Sequence, residues 1–315
     1  LNAGVPLGLS SGLCWGAADF FGGIQSRRLP ALTVAFWSQL AGALALAIAL
    51  AIEGVRPAAT GIAWGLAAGV GSGCALVLFY RSLAEGTMSM VAPISACGAI
   101  VPVAAALLTG NQPGVLAALG VLATIAGVIL VSRPHTPARF APPAVEGDPA
   151  SPASPARGGR RVVAMALGSA LGFGLFYVFV DAGAASTAGT AATTGAVAAA
   201  AAGSHGSPLW VIAGARMSSL AILSMIALVS RRSALRWPGR RIGAVALVGI
   251  GDTGANLLFA YAATTGNLAV VGVLGSLYPV ATVVLARWLL RERLSGGQNV
   301  GVVLALTGVV LLTAA

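Results

Sequence analysis

Three ionisable residues stand inside otherwise apolar stretches of this chain: Asp19, Arg216 and Asp252. An ionised side chain in hydrocarbon costs about 2.5–3.5 kcal/mol on insertion scales, so it turns toward a polar cavity or a partner rather than lipid. Either aspartate can take up a proton or pair with a cationic group. Arg216 can pair with an anionic group of a substrate or with one of the aspartates. The alternative for all three is a structural ion pair, or a helix-end residue that reaches the interface. Asn256 lies one helical turn after Asp252 and extends the same polar face or bonds a neighbouring helix. Trp15, Phe173 and Tyr278 are candidates for aromatic walls of a pocket, against packing or interfacial anchoring. Pro93, Pro102 and Pro279 remove backbone hydrogen bonds within apolar spans and are candidate bends or hinges.

The elements that must position these residues are long apolar runs. The residues are 57% hydrophobic and only 8% charged. A soluble domain carries about 25% charged residues, so this chain belongs in a bilayer. A helix of about 20 residues rises ~30 Å, enough to cross the hydrocarbon core. The apolar runs predict about ten such helices. In the first, Gly8, Gly12 and Gly16 form a small-residue stripe that admits a close neighbour, and Asp19 lies on or beside that face.

The runs repeat. Residues 267–315 are two apolar spans joined by the turn Arg291-Glu292-Arg293-Leu294-Ser295-Gly296-Gly297, and residues 88–132 follow the same plan around Gly110-Asn111-Gln112-Pro113. Ala126-Gly127-Val128-Ile129-Leu130 matches Thr307-Gly308-Val309-Val310-Leu311, and Ser11-Gly12-Leu13-Cys14-Trp15-Gly16 matches Ser169-Ala170-Leu171-Gly172-Phe173-Gly174. Such internal similarity marks a duplicated membrane protein. The expected organisation is a first five-helix repeat at 1–132, a proline-rich flexible linker at 133–161 and a second repeat at 162–315. Residues 182–207, almost wholly Ala, Gly, Thr and Ser, are expected as an insertion in a loop, with an extra embedded helix as the alternative.

The formal charge of +10 does not indicate nucleic acid. The 18 basic residues are all arginine, sit mostly in short loops and show no interleaved aromatics. Their place is at anionic lipid head groups. Loops 1–2, 3–4, 5–6, 7–8 and 9–10, with adjoining helix ends, hold every arginine except Arg56 and Arg216. All five loops fall on one side of a ten-span protein. The positive-inside rule makes that side cytoplasmic and places both termini outside. Each half has an odd number of spans, so the halves enter the membrane in opposite directions. The fold class expected is therefore an all-α polytopic membrane protein of about ten transmembrane helices, arranged as two inverted five-helix repeats.

Cys14, Cys74 and Cys97 fall inside apolar spans without metal-ligand spacing and are expected as packing residues. No metal or other cofactor is implied. The Gly69-x-Gly71-x-Gly73 run lies within a span and serves close packing rather than phosphate binding. No cleavable signal peptide is apparent, because the first apolar run belongs to the duplicated pattern.

The ordered set Trp15-Gly16, Phe173-Gly174, an arginine inside span 7, Leu277-Tyr278-Pro279, Arg291-Glu292-Arg293-Leu294-Ser295 and Gly308-Val309-Val310-Leu311 resembles the EamA-type carriers of the drug/metabolite transporter superfamily. The resemblance covers both halves. It implies ten helices in two inverted repeats and movement of small metabolites by alternating access. Two departures stand out. The hairpin glutamate is present as Glu292 in the second half but replaced by Asn111 in the first, and many relatives keep both termini in the cytoplasm.

The function expected is a secondary transporter of small metabolites or drugs, acting as an exporter in the plasma (inner) membrane. Its partners are a small-molecule substrate and membrane lipid, with no nucleic acid. Because both repeats lie in one chain, a monomer suffices. The alternatives are a non-transporting membrane scaffold or sensor, and a membrane-embedded enzyme. Against the enzyme, His135 and His205 both fall in loops, and neither a zinc-protease motif nor a serine nucleophile elbow occurs.

Overall fold

In lipid every backbone N–H and C=O must be bonded within its own segment, and for runs of this length the helix is the solution. The computed structural model describes residues 4–54, 57, 59–108, 114–131, 155–193, 208–230, 237–265, 274–275 and 277–314. Among these residues the regular structure is entirely helical. The first half contributes α1 (Gly4–Ser26), α2 (Ala31–Glu53), α3 (Ala59–Glu85), α4 (Met88–Ala96), α5 (Ile100–Leu108) and α6 (Val115–Val131). The second contributes α7 (Pro155–Thr193), α8 (Pro208–Val229), α9 (Ile242–Thr265), α10 (Tyr278–Leu289) and α11 (Gly296–Ala314). Five helices carry apolar windows long enough to cross a membrane on their own, including Ala31–Ile52, Gly159–Val180 and Leu209–Val229.

These described helices fill the ten expected spans because α4 and α5 are one span interrupted at Cys97–Ala99 by a turn of 3₁₀ helix. Proline chemistry accounts for the break. Pro102 has no N–H to offer the carbonyl of Gly98, and Pro93 lies inside α4. The Cys97 thiol donates to the Pro93 carbonyl at 3.1 Å. Pro279 behaves differently. It stands in the first turn of α10, where a missing N–H costs nothing, and residues 266–273 and 276 before it lie outside the described residues.

Helix α7 extends further than expected at both ends. It takes in residues 155–161 of the proline-rich stretch and 182–193 of the Ala/Gly/Thr stretch. Alanine has the highest helix propensity and continues a helix already nucleated by a buried span. Residues 133–154 and 194–207, with the rest of those two expectations, lie outside the described residues, as do His135, His205 and Asn111.

Helix packing follows an inverted symmetry. α1 lies against α9 and α10, and its counterpart α7 lies against α3 and α4. α2 packs on α9 as α8 packs on α3, while α2–α8 and α6–α11 pair each element with its own counterpart. Each repeat is therefore completed by the other. Polar hydroxyls tie the crossings: Ser11 Oγ donates to the Ala255 carbonyl at 2.8 Å, Thr282 Oγ1 to the Gly16 carbonyl at 3.0 Å, and Ser95 bonds Ser169 at 2.9 Å. The glycine stripe of α1 works as expected: a Cβ on Gly12 would stand 2.6 Å from the Leu274 carbonyl oxygen.

The larger core gathers at the ends of the helices nearest the arginine-rich loops, with Phe20, Phe79, Leu83, Met88, Val91 and Leu223 among its fully buried members. A smaller cluster of Leu46, Leu50 and Leu209 lies toward the other end. Outward positions carry Leu44, Ile48, Leu122, Ile129, Leu247 and Val303, a surface suited to lipid and not to water. Trp237 and Trp288 are exposed at the arginine-rich end, the depth at which tryptophan anchors a helix in the interface.

Candidate functional site: a charged knot at mid-membrane

Asp252 is near the middle of α9, Arg216 near the middle of α8 and Gln39 in the middle of α2. The α2–α8–α9 packing brings all three together. Arg216 is buried, and its guanidinium donates to the Asp252 carboxylate and to the Gln39 amide oxygen. It also reaches Thr253 Oγ1 at 3.4 Å, and that hydroxyl donates to the Gly42 carbonyl of α2 at 3.1 Å. Of the two partners expected for Arg216, the aspartate is the one seen here. One edge of the pair stays open, since the Asp252 side chain is 34% exposed against 8% for Arg216.

Asp19, on α1, lies close enough to Asp252 for the two carboxylates to repel. Among the described residues it has no ion-pair partner. Three tyrosines lie within electrostatic range of Asp19. Tyr80 of α3 interacts electrostatically with Asp19, Asp252 and Arg216 and bonds Ser38; Tyr177 of α7 interacts with both carboxylates; Tyr278 of α10 interacts with Asp19 and Tyr177. Tyr177 is 43% exposed, on the side of α7 turned away from the exposed stripe of Leu167, Leu171 and Leu175, which makes it interior and not lipid-facing surface. Arg216 is committed to Asp252, which leaves the Asp19 carboxyl without a cation among the described residues. A carboxyl with no ion-pair partner among the described residues and with aromatic residues in electrostatic range is suited to a proton or an organic cation.

The remaining candidates separate. Trp15 packs against Phe259 of α9 in a tilted pair, with ring centroids 5.6 Å apart, one turn along α1 from Asp19. Phe173 packs edge-on against the buried Phe79 at 5.7 Å and belongs to the core. Asn256 turns its amide onto its own helix, donating to the Asp252 carbonyl at 2.6 Å. Pro93 and Pro102 flank the broken span, and Cys97 is buried at that break. Two concavities of about 340 and 300 Å³ lie on the lipid-facing side, lined chiefly by apolar residues of α11 and of α5–α7. They lack the charged residues above.

Gln39, Tyr80 and Tyr177 were not among the residues singled out from sequence. Gln39 had a usable signal, a primary amide midway along an apolar span. Tyr177 stands four residues after Phe173, one turn along the same helix, and could have been found by following that face.

The inverted ten-span bundle and its polar centre define a membrane transporter fold. The EamA-like transporter family model matches residues 2–133 and 182–314, and the chain belongs to that family. A solved crystal structure of a protein is similar over 98% of this chain and 95% of its own, with a TM-score of 0.60 and 16% identity, which speaks for the fold alone. No curated protein matches the chain at a significant level.

Proposed function

We propose that the protein is a secondary carrier that exports small metabolites or drugs across the plasma (inner) membrane by alternating access. Asp19 is the site that takes up the driving proton or a cationic group of the substrate. Family membership supports the transporter class. The observation that carries the rest is the mid-membrane knot: Gln39 from the first repeat, Arg216 and Asp252 from the second, and the unpaired Asp19 facing them. A contact network that bridges two inverted repeats and exposes one carboxylate edge can be remade when the repeats rock. On this reading the repeats at 1–132 and 162–315 are the moving bodies, joined by the proline-rich stretch, and a single chain in lipid is sufficient.

The test is flux in proteoliposomes of the purified protein, screened with amino acids, aromatic metabolites and organic cations, with and without a pH gradient. Wild type is expected to show gradient-sensitive flux, and Asp19→Asn to lose it by about 10²-fold or more while remaining monodisperse, as removal of an essential proton-transfer group does. Undiminished, gradient-sensitive flux in Asp19→Asn would remove Asp19 from the mechanism.

A further inference from the structure

Glu292 lies outside the central knot, in the short turn between α10 and α11. Its side chain is only 9% exposed although the turn is at the arginine-rich end. Both carboxylate oxygens accept backbone N–H groups at the start of α4: Oε1 from Met88 at 3.0 Å and Oε2 from Ser89 at 2.9 Å. These are the N–H groups that a helix leaves without internal partners, at the positive end of its dipole. Arg27, just past α1, donates to the same Oε1 at 3.1 Å and to the carbonyls of Gly86 at 3.2 Å and Leu83 at 3.4 Å, at the end of α3. One carboxylate thus joins the second repeat to α1, α3 and α4 of the first.

The backbone aims it there. Arg291 has φ of 54°, the one positive φ at a non-glycine among the described residues. A left-handed arginine is held only where its surroundings require it. This turn directs Glu292 inward, and its N–H bonds back to the Ala286 carbonyl at 3.4 Å. The larger core cluster packs directly beside this contact, through Leu83, Met88, Leu290 and Leu294. Deeper in, Asp252 and Tyr177 present exposed surface. In the sequence, the matching turn of the first repeat carries Asn111, which lacks the charge.

We infer that Glu292 is the latch of a gate at the arginine-rich mouth: its two backbone bonds and its pair with Arg27 hold that mouth shut, and transport requires their release. The inference rests on the carrier reading but is read out without any substrate. Breaking charge-assisted bonds across the two repeats favours the conformation open at this mouth and closed at the other.

The experiment uses the full chain with Cys14, Cys74 and Cys97 replaced by alanine, and one reporter at a time. Ser89→Cys reports on the latched mouth, where Ser89 is fully buried, and Tyr177→Cys reports on the exposed interior. Reaction with a water-soluble maleimide is timed in the parent, in Glu292→Gln and in Arg27→Gln. Loss of the latch is expected to speed labelling of Ser89→Cys by about tenfold and to slow labelling of Tyr177→Cys, with the smaller effect in Arg27→Gln, which keeps the cap on α4. Faster labelling at Ser89→Cys with no change at Tyr177→Cys would show local fraying of a strut and overturn the gate. Unchanged labelling at both reporters would overturn it too. If Glu292→Gln fails to fold, Arg27→Gln carries the same two readouts. Failure here leaves the flux test of Asp19 untouched.

Discussion

Arg216→Gln is expected to abolish flux and to lower stability by about 2–3 kcal/mol, below the roughly 3–5 kcal/mol of breaking a fully buried ion pair. The guanidinium is buried, and it gathers Asp252, Gln39 and Thr253. Without it, two carboxylates face each other in the bundle and the Gln39 oxygen loses its donor. The loss stays below the full penalty because the Asp252 side chain is 34% exposed and keeps some hydration. The double variant Arg216→Gln/Asp252→Asn removes the orphaned charge along with its partner. It is expected to recover most of the stability and none of the flux. Thermal unfolding in detergent and proteoliposome flux measure the two quantities separately. A double variant as unstable as the single one would show that the knot acts through packing, not charge.

Gly249→Val is expected to be worse for the fold. The Gly249 Cα lies against the backbone of α2, where a Cβ would collide with the Ser38 carbonyl and crowd the Gly42 nitrogen. Neither atom can move without shifting α2, and α2 carries Gln39 to Arg216. Overpacking between well-packed elements costs about 1–3 kcal/mol and more where backbone is the obstacle. The variant is expected to aggregate on extraction or to unfold far below wild type. Gly254→Val on the same helix is the control, since a Cβ there meets nothing within 4 Å. Equal loss in both variants would point to helix propensity or β-branching, and would remove the close approach as the cause. Size-exclusion profiles after heating distinguish these results.

The same two sites show how far a linear reading reaches. A charge in an apolar run is visible without coordinates because its insertion cost is local, and so Asp19, Arg216 and Asp252 stood out. Which charge pairs with which is a property of helix rotation and crossing. It needed α2, α8 and α9 in place to give Arg216 to Asp252 and Gln39 and to leave Asp19 over. Phe173 and Trp15 occupy matching positions in the repeats, yet one packs in the core against Phe79 and the other lies tilted against Phe259. The symmetry of the sequence is not obeyed by the side chains around it.

Glu292 makes the point most sharply. In the sequence it is the one acidic residue of an arginine-rich turn, and nothing local shows what it bonds. Its importance comes from a left-handed backbone at Arg291 and from the start of a helix more than 200 positions earlier in the chain.

The sequence alone determined the solvent, the span pattern, the duplication and the family. Each follows from composition or short-range period, because burial in lipid constrains every residue of a span at once. Only the tertiary structure decided how far α7 runs, which carboxyl is left without a cation among the described residues, and that the Glu292 turn bonds the start of α4. Those outcomes depend on helices meeting across the two repeats, where direction and distance are set by close packing of small residues and not by any single stretch of chain.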